Sequence, residues 1–95
     1  MKVDRLEAIR SLRQKGFRED KTRDHIYFYH EYNGKETGPC TKISHSRRVR
    51  DISGDLLLSM RKQLRLDTNR DAVDLLSCPM DGDEFNSKMK AKGIF

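Results

Sequence analysis

The chain has 95 residues, 37% of them charged, with a mean hydropathy of −0.88. That length supports one domain with a modest core, here divided into residues 1–66 and a helical extension over 67–95. No apolar run reaches the roughly 20 residues a spanning helix needs, and no signal-peptide core opens the chain, so a soluble cytoplasmic protein is expected.

Net charge is +5, and it is unevenly placed. Residues 1–50 hold thirteen Lys/Arg against seven Asp/Glu, whereas residues 51–95 hold seven against eight. A basic half joined to a near-neutral half points to a polyanion-binding face. The two cysteines, Cys40 and Cys78, lack metal-ligand spacing and read as buried or partly buried free thiols.

Val3, Leu6, Ile9 and Leu12 recur at near-helical spacing, with Arg5, Glu7, Arg10 and Arg13 off that stripe. Lys15-Gly16-Phe17 reads as a Schellman stop, with Gly beyond the helix end and an apolar residue packing back. Phe17 to Asp20 reads as a short edge strand, and the charged run 18–24 as an exposed turn.

From Arg23 to Tyr32 the chain is dense in aromatic and β-branched residues, which suit a pleated, half-buried surface, with His25 beginning the strand. Asn33-Gly34 follows, two residues that tolerate the positive φ of a type I′ hairpin turn. The return strand runs through Thr41, Lys42, Ile43 and Ser44. Alternation places Ile26, Phe28 and His30 on one face, and His25, Tyr27 and Tyr29 on the other. Helices covering the Ile26/Phe28 face leave His25 and the tyrosines outward. The reverse would expose Ile26 and Phe28 and bury His25.

Residues 45–52 read as a basic loop. Ser53 then caps a helix bearing Leu56, Leu57, Met60 and Leu64, with Asp55 in its first turn. Thr68 opens a third helix that Cys78-Pro79 ends, and Asp81 a fourth that carries Phe85 and Met89 and stops at Gly93. The expected fold is α+β: an α-β-β-β-α core with a three-stranded antiparallel sheet, as in double-stranded-RNA-binding-like domains, plus two short C-terminal helices.

Four features in order resemble the HicA family of toxin–antitoxin mRNA interferases. They are a helix ending Arg13-Gln14-Lys15-Gly16-Phe17, a histidine opening an aromatic strand in Asp24-His25-Ile26-Tyr27, the stretch Thr41-Lys42-Ile43-Ser44-His45, and a helix closing with Lys62-Gln63-Leu64. The likeness covers about residues 3–66. It implies a metal-independent, cofactor-free ribonuclease acting on mRNA and neutralised by a HicB-type antitoxin. The family's catalytic histidine follows a Gly-Ser pair and matches His25. Here Arg23-Asp24 stands in place of Gly-Ser, and the added carboxylate either repels RNA phosphate or orients the imidazole.

Metal-free RNA cleavage needs a group to take the 2′-hydroxyl proton and cations to stabilise charge on phosphorus. His25 suits the first role, because an ordinary imidazole titrates near working pH. Arg23 and Lys42 suit the second. Tyr27 and Tyr29 offer platforms for unpaired bases, and His45, Arg47, Arg48 and Arg50 offer phosphate contacts. The alternative is a non-catalytic nucleic-acid- or protein-binding module on the same fold, with those tyrosines as an ordinary outer sheet face. His30, on the Ile26/Phe28 face, is expected to be buried.

Overall fold

A computed structural model describes residues 1–95. Its elements are β1 (Lys2–Asp4), α1 (Arg5–Gln14), β2 (Phe17–Asp20), β3 (Ile26–Tyr32), β4 (Lys35–Ile43), β5 (Asp51–Ser53), α2 (Gly54–Gln63), α3 (Asn69–Leu76) and α4 (Gly82–Ala91). The fold is α+β, with four helices and an antiparallel sheet in the order β2-β3-β4. No helix is long and apolar enough to cross a membrane.

Asn33 and Gly34 both take positive φ, 52° and 79°, so Tyr32 pairs with Lys35 across a two-residue turn. On the outer face Tyr27 lies between Asp20 and Lys42, and Tyr29 between Arg18 and Cys40. On the inner face Phe28 and Ile26 are buried, at 0% and 5% exposure. α1 packs against β2, α2 against β4, and α3 against both helices. The helices thus cover the Ile26/Phe28 side.

Three expectations are corrected. The first concerns Val3, which is not helical: it lies in β1, which pairs antiparallel with β5 as a separate two-stranded ribbon. The basic loop therefore ends at Arg50, because Asp51 and Ile52 already belong to a strand. The second concerns Leu6, which is 54% exposed, and Leu56, which is also exposed. A spacing of three falls about 60° short of a full turn at each step, so Val3-Leu6-Ile9-Leu12 winds around a helix. The face that packs inward is Arg5, Ala8, Ile9 and Leu12. In α2, Leu57 and Met60 are buried, with Leu64 just beyond. The third concerns Cys78, which is exposed, whereas Cys40 is half-buried.

The helical extension is integral to the core. Phe85 and Met89 are fully buried, and the Phe85 ring lies 5.4 Å from Phe17 and 4.9 Å from His30. Opposite His30 the ladder is irregular, because Tyr29 pairs with Cys40 while Glu31 pairs with Glu36. Gly38, at φ 124°, accommodates the extra residues. This bulge brings the Thr37 hydroxyl onto His30 Nδ1, while His30 Nε2 donates to Asn86 Oδ1 at 2.7 Å. Both ring nitrogens are satisfied, and burial holds the His30 pKa below its ordinary value.

Candidate nucleic-acid interface

The chain leaving β4 is held at both ends of the 44–50 loop by one residue of α1. The Arg5 backbone N–H donates to the Arg50 carbonyl at 2.8 Å, and the Arg5 guanidinium donates from Nε and Nη2 to the Ser44 carbonyl at 2.9 and 2.7 Å. Within the loop, Ser46 N–H donates to Ser44 Oγ and Arg48 N–H to Ser46 Oγ. These side-chain bonds to backbone donors compete with regular structure and fix a tight turn.

Two adjoining cavities, about 460 and 300 Å³, run between this loop and the exposed side of α1. They share Arg5, Leu6 and Arg47, so they form one groove. The larger adds Asp4, Val49 and Arg50. The smaller adds Arg10, Arg13 and Lys21, and reaches Ile26 and His45 at the end of the sheet. Glu19 neutralises Arg13 at 2.8 Å and Lys21 at 3.7 Å. Arg10, Arg47 and Arg50 have no carboxylate partner, and the buried Arg5 has only a neutral carbonyl. The groove is strongly cationic above an apolar floor.

The outer sheet face is built differently. Arg23 lies over the Tyr27 ring at 3.9 Å and donates to the Tyr29 hydroxyl at 2.7 Å. Arg18 lies over Tyr29 at 4.7 Å and pairs with Glu31 and Glu36. The tyrosine rings are nearly parallel, at 16° with centroids 6.2 Å apart. Cation–π attraction holds this ladder of two tyrosines and two guanidiniums, whose outer guanidinium surfaces can still accept a stacked base.

At the sheet end His25 Nδ1 lies 3.2 Å from Asp24 Oδ2, with the imidazole side chain 38% exposed. That hydrogen bond is the main reason the Asp24 carboxyl titrates below its ordinary range. With a carboxylate as its partner Nδ1 is the donor, and Nε2 has no hydrogen-bond partner in the protein. His45 Nε2 donates to the Arg23 carbonyl at 3.0 Å, tying the basic loop to the segment that carries His25. No protein-family model matches the chain, and neither does any curated protein or solved structure.

The structure therefore divides the residues picked out from sequence. Arg23, Tyr27, Tyr29 and Lys42 share the outer face, whereas His25, expected to begin the central strand, lies in the bend just before it, because ladder pairing starts at Ile26. His45, Arg47 and Arg50 line the groove; Arg48 is exposed and lines neither cavity. The sequence reading missed Leu6 and Arg10 as site residues. Their signal was present: Leu6, Arg10 and Arg13 are spaced i, i+4, i+7, which marks one helix face. No three His, Cys, Asp or Glu side chains converge on one point.

Proposed function

We propose that this chain is a HicA-like RNA-binding protein of double-stranded-RNA-binding-like fold, which holds RNA along its basic groove and cleaves it with His25 as general acid–base. The observation that carries this reading is the His25–Asp24 pair, placed where the outer face meets the arginine-bearing loop. Element order supports the fold assignment: α1 is followed by the three antiparallel strands β2, β3 and β4, and α2 comes after the short strand β5, with the helices on one side of the three-stranded sheet.

In the proposed reaction His25 Nε2 takes the 2′-hydroxyl proton. The 2′-oxygen bonds to phosphorus and the bond from phosphorus to the 5′-oxygen breaks, while water protonates the departing oxygen and the hydroxide so formed takes the proton back from the imidazolium. The products are a 2′,3′-cyclic phosphate and a free 5′-hydroxyl. Asp24 accepts the Nδ1–H bond, so it selects the reactive tautomer and stabilises the imidazolium once it forms. The Asp24 charge that would repel a phosphate is directed at the imidazole instead. Lys42, opposite Tyr27, and Arg23, over the Tyr27 ring, would offset charge on the phosphorane. In the cell a HicB-type antitoxin would cover this site.

The test is incubation of the purified protein with mRNA in EDTA. Wild type should cleave and His25→Ala should not, with both variants equally folded and binding RNA alike. Binding without EDTA-resistant, His25-dependent cleavage would leave the non-catalytic module as the correct account. That second reading draws on the groove, whose unpaired arginines need no catalytic partner to bind a polyanion.

A further inference from the structure

The larger half of the groove has a composition that phosphate binding alone does not require. Its walls are Arg47 and Arg50, while Leu6 and Val49 supply an apolar surface beside them. Leu6 is 54% exposed although it lies on a helix whose other large apolar residues are buried. Arg5, at 7% exposure, brings a guanidinium under the floor with no carboxylate to compensate it. Asp4, the one acid in the lining, is engaged in capping α1 by accepting from Glu7 N–H at 3.1 Å.

We infer that this pocket seats one unpaired base of an RNA strand against Leu6 and Val49, with its flanking phosphates on Arg47 and Arg50. This rests on the RNA-binding reading above and deepens it: the bound form is single-stranded at this point. An A-form duplex keeps its base faces stacked and offers a protein mainly phosphates, 2′-hydroxyls and groove edges. Such a ligand would use the arginines and leave the apolar floor empty. An extruded base has two apolar faces, and the pocket volume, about 460 Å³, suits a small-molecule-sized group of that kind. The net positive charge of the walls complements a nucleotide and not an uncharged apolar ligand. The lever is Arg5, which positions Leu6 on one side and the 44–50 loop on the other through its bonds to Ser44 and Arg50.

The experiment is fluorescence anisotropy on the full chain carrying His25→Ala, so that the probe survives. Its probes are a 12-nucleotide single-stranded RNA, the matching RNA duplex, inorganic polyphosphate and a poly-glutamate peptide. Leu6→Ser with Val49→Ser should weaken the single strand roughly tenfold, in line with loss of one base contact. Duplex and polyphosphate affinity should stay unchanged, and so should the salt slope for the single strand. Arg47→Gln with Arg50→Gln should weaken all three polyphosphodiester or polyphosphate probes and lower the salt slope by about two. Leu6→Ser alone, at an exposed position, serves if the double variant is poorly folded.

Single-strand binding indifferent to Leu6 and Val49, or duplex binding weakened equally, overturns the base pocket while leaving RNA binding in place. Poly-glutamate binding as tightly as RNA, with the same loss in the serine variants, overturns it in favour of an acidic peptide groove. Absence of RNA binding by the parent removes the proposed function together with this inference.

Discussion

Arg5 and Ser44 lie 39 positions apart, yet the Arg5 guanidinium donates twice to the Ser44 carbonyl, at 2.9 and 2.7 Å. The bond converts a seven-residue basic stretch into a fixed wall facing α1. Burial of a guanidinium costs free energy unless its donors are used, and here two of them are spent on a single carbonyl. Arg5→Met keeps much of the aliphatic packing and removes those bonds. It should lower stability by about 2 kcal/mol, the scale for hydrogen bonds to a charged group. Urea unfolding measures that loss. Hydrogen exchange at Arg48 and Val49, whose amides bond within the loop, should rise at the same time. An unchanged exchange rate there would show that the loop is held by its own serines alone.

The two faces of α1 and of β3 can be separated by stability. Phe28, at 0% exposure, should cost about 3–5 kcal/mol on replacement by Ala. Leu6→Ala should change stability by less than about 0.5 kcal/mol, as is usual for a surface site. Comparable losses for both would contradict the assignment of Leu6 to the groove floor.

That contrast shows how far the residues alone could be read. Local signals carried the hairpin, because Asn33-Gly34 demands positive φ at both positions, and they carried two helix caps, because Thr68 and Asp81 each accept a backbone N–H in the first turn, whereas Ser53 precedes α2 without a side-chain capping bond. They failed at Val3. Its partner Ile52 lies 49 residues away, and nothing within a helical-looking stretch announces a strand bond over that distance. The apolar count also favoured Leu6 over Ala8, although Ala8 is fully buried and lies on the same face as Ile9 and Leu12. The site divided in the same way. Arg47 and Arg50 were visible as a charge run, whereas the α1 residues that complete the lining, Leu6 and Arg10, join them in a groove only once Arg5 has tied α1 to Ser44. Arg48 belonged to the same run and lies outside both cavities, since a tight turn sends neighbouring side chains apart.

His30 gives the fold a pH dependence of known sign. Its folded pKa is depressed, chiefly by burial and against opposing contributions from Asn86 and Glu31, while the unfolded value is about 6.5. Between those values the unfolded chain binds more protons, so stability rises with pH. The contribution is fully present above about pH 6.5 and is lost as pH falls toward the folded pKa. The carboxyls of Asp20, Asp24 and Asp67 are held below their ordinary value of 3.8, so their losses come in a more acidic window. Urea midpoints should fall between pH 7.5 and 5, and His30→Leu should flatten that stretch of the curve. If the slope persists in the variant, other groups are responsible.

The sharpest prediction concerns Asp24, whose carboxylate stands beside the imidazole of the proposed site. Its Oδ2 lies 3.2 Å from His25 Nδ1, and its Oδ1 receives the Tyr27 hydroxyl at 3.4 Å. An acceptor at that position keeps the proton on Nδ1 and Nε2 free to act as base. Asp24→Asn preserves size but offers a side-chain amide that can donate to Nδ1 instead, which places the proton on Nε2. Cleavage by Asp24→Asn should therefore fall at least tenfold in kcat, with RNA affinity unchanged or slightly increased because one negative charge is gone. Asp24→Glu, which retains an acceptor, should recover part of the rate. A purely structural role for Asp24 predicts instead equal losses in the Asn and Glu variants. Single-turnover cleavage measured from pH 5 to 8 in EDTA decides between them.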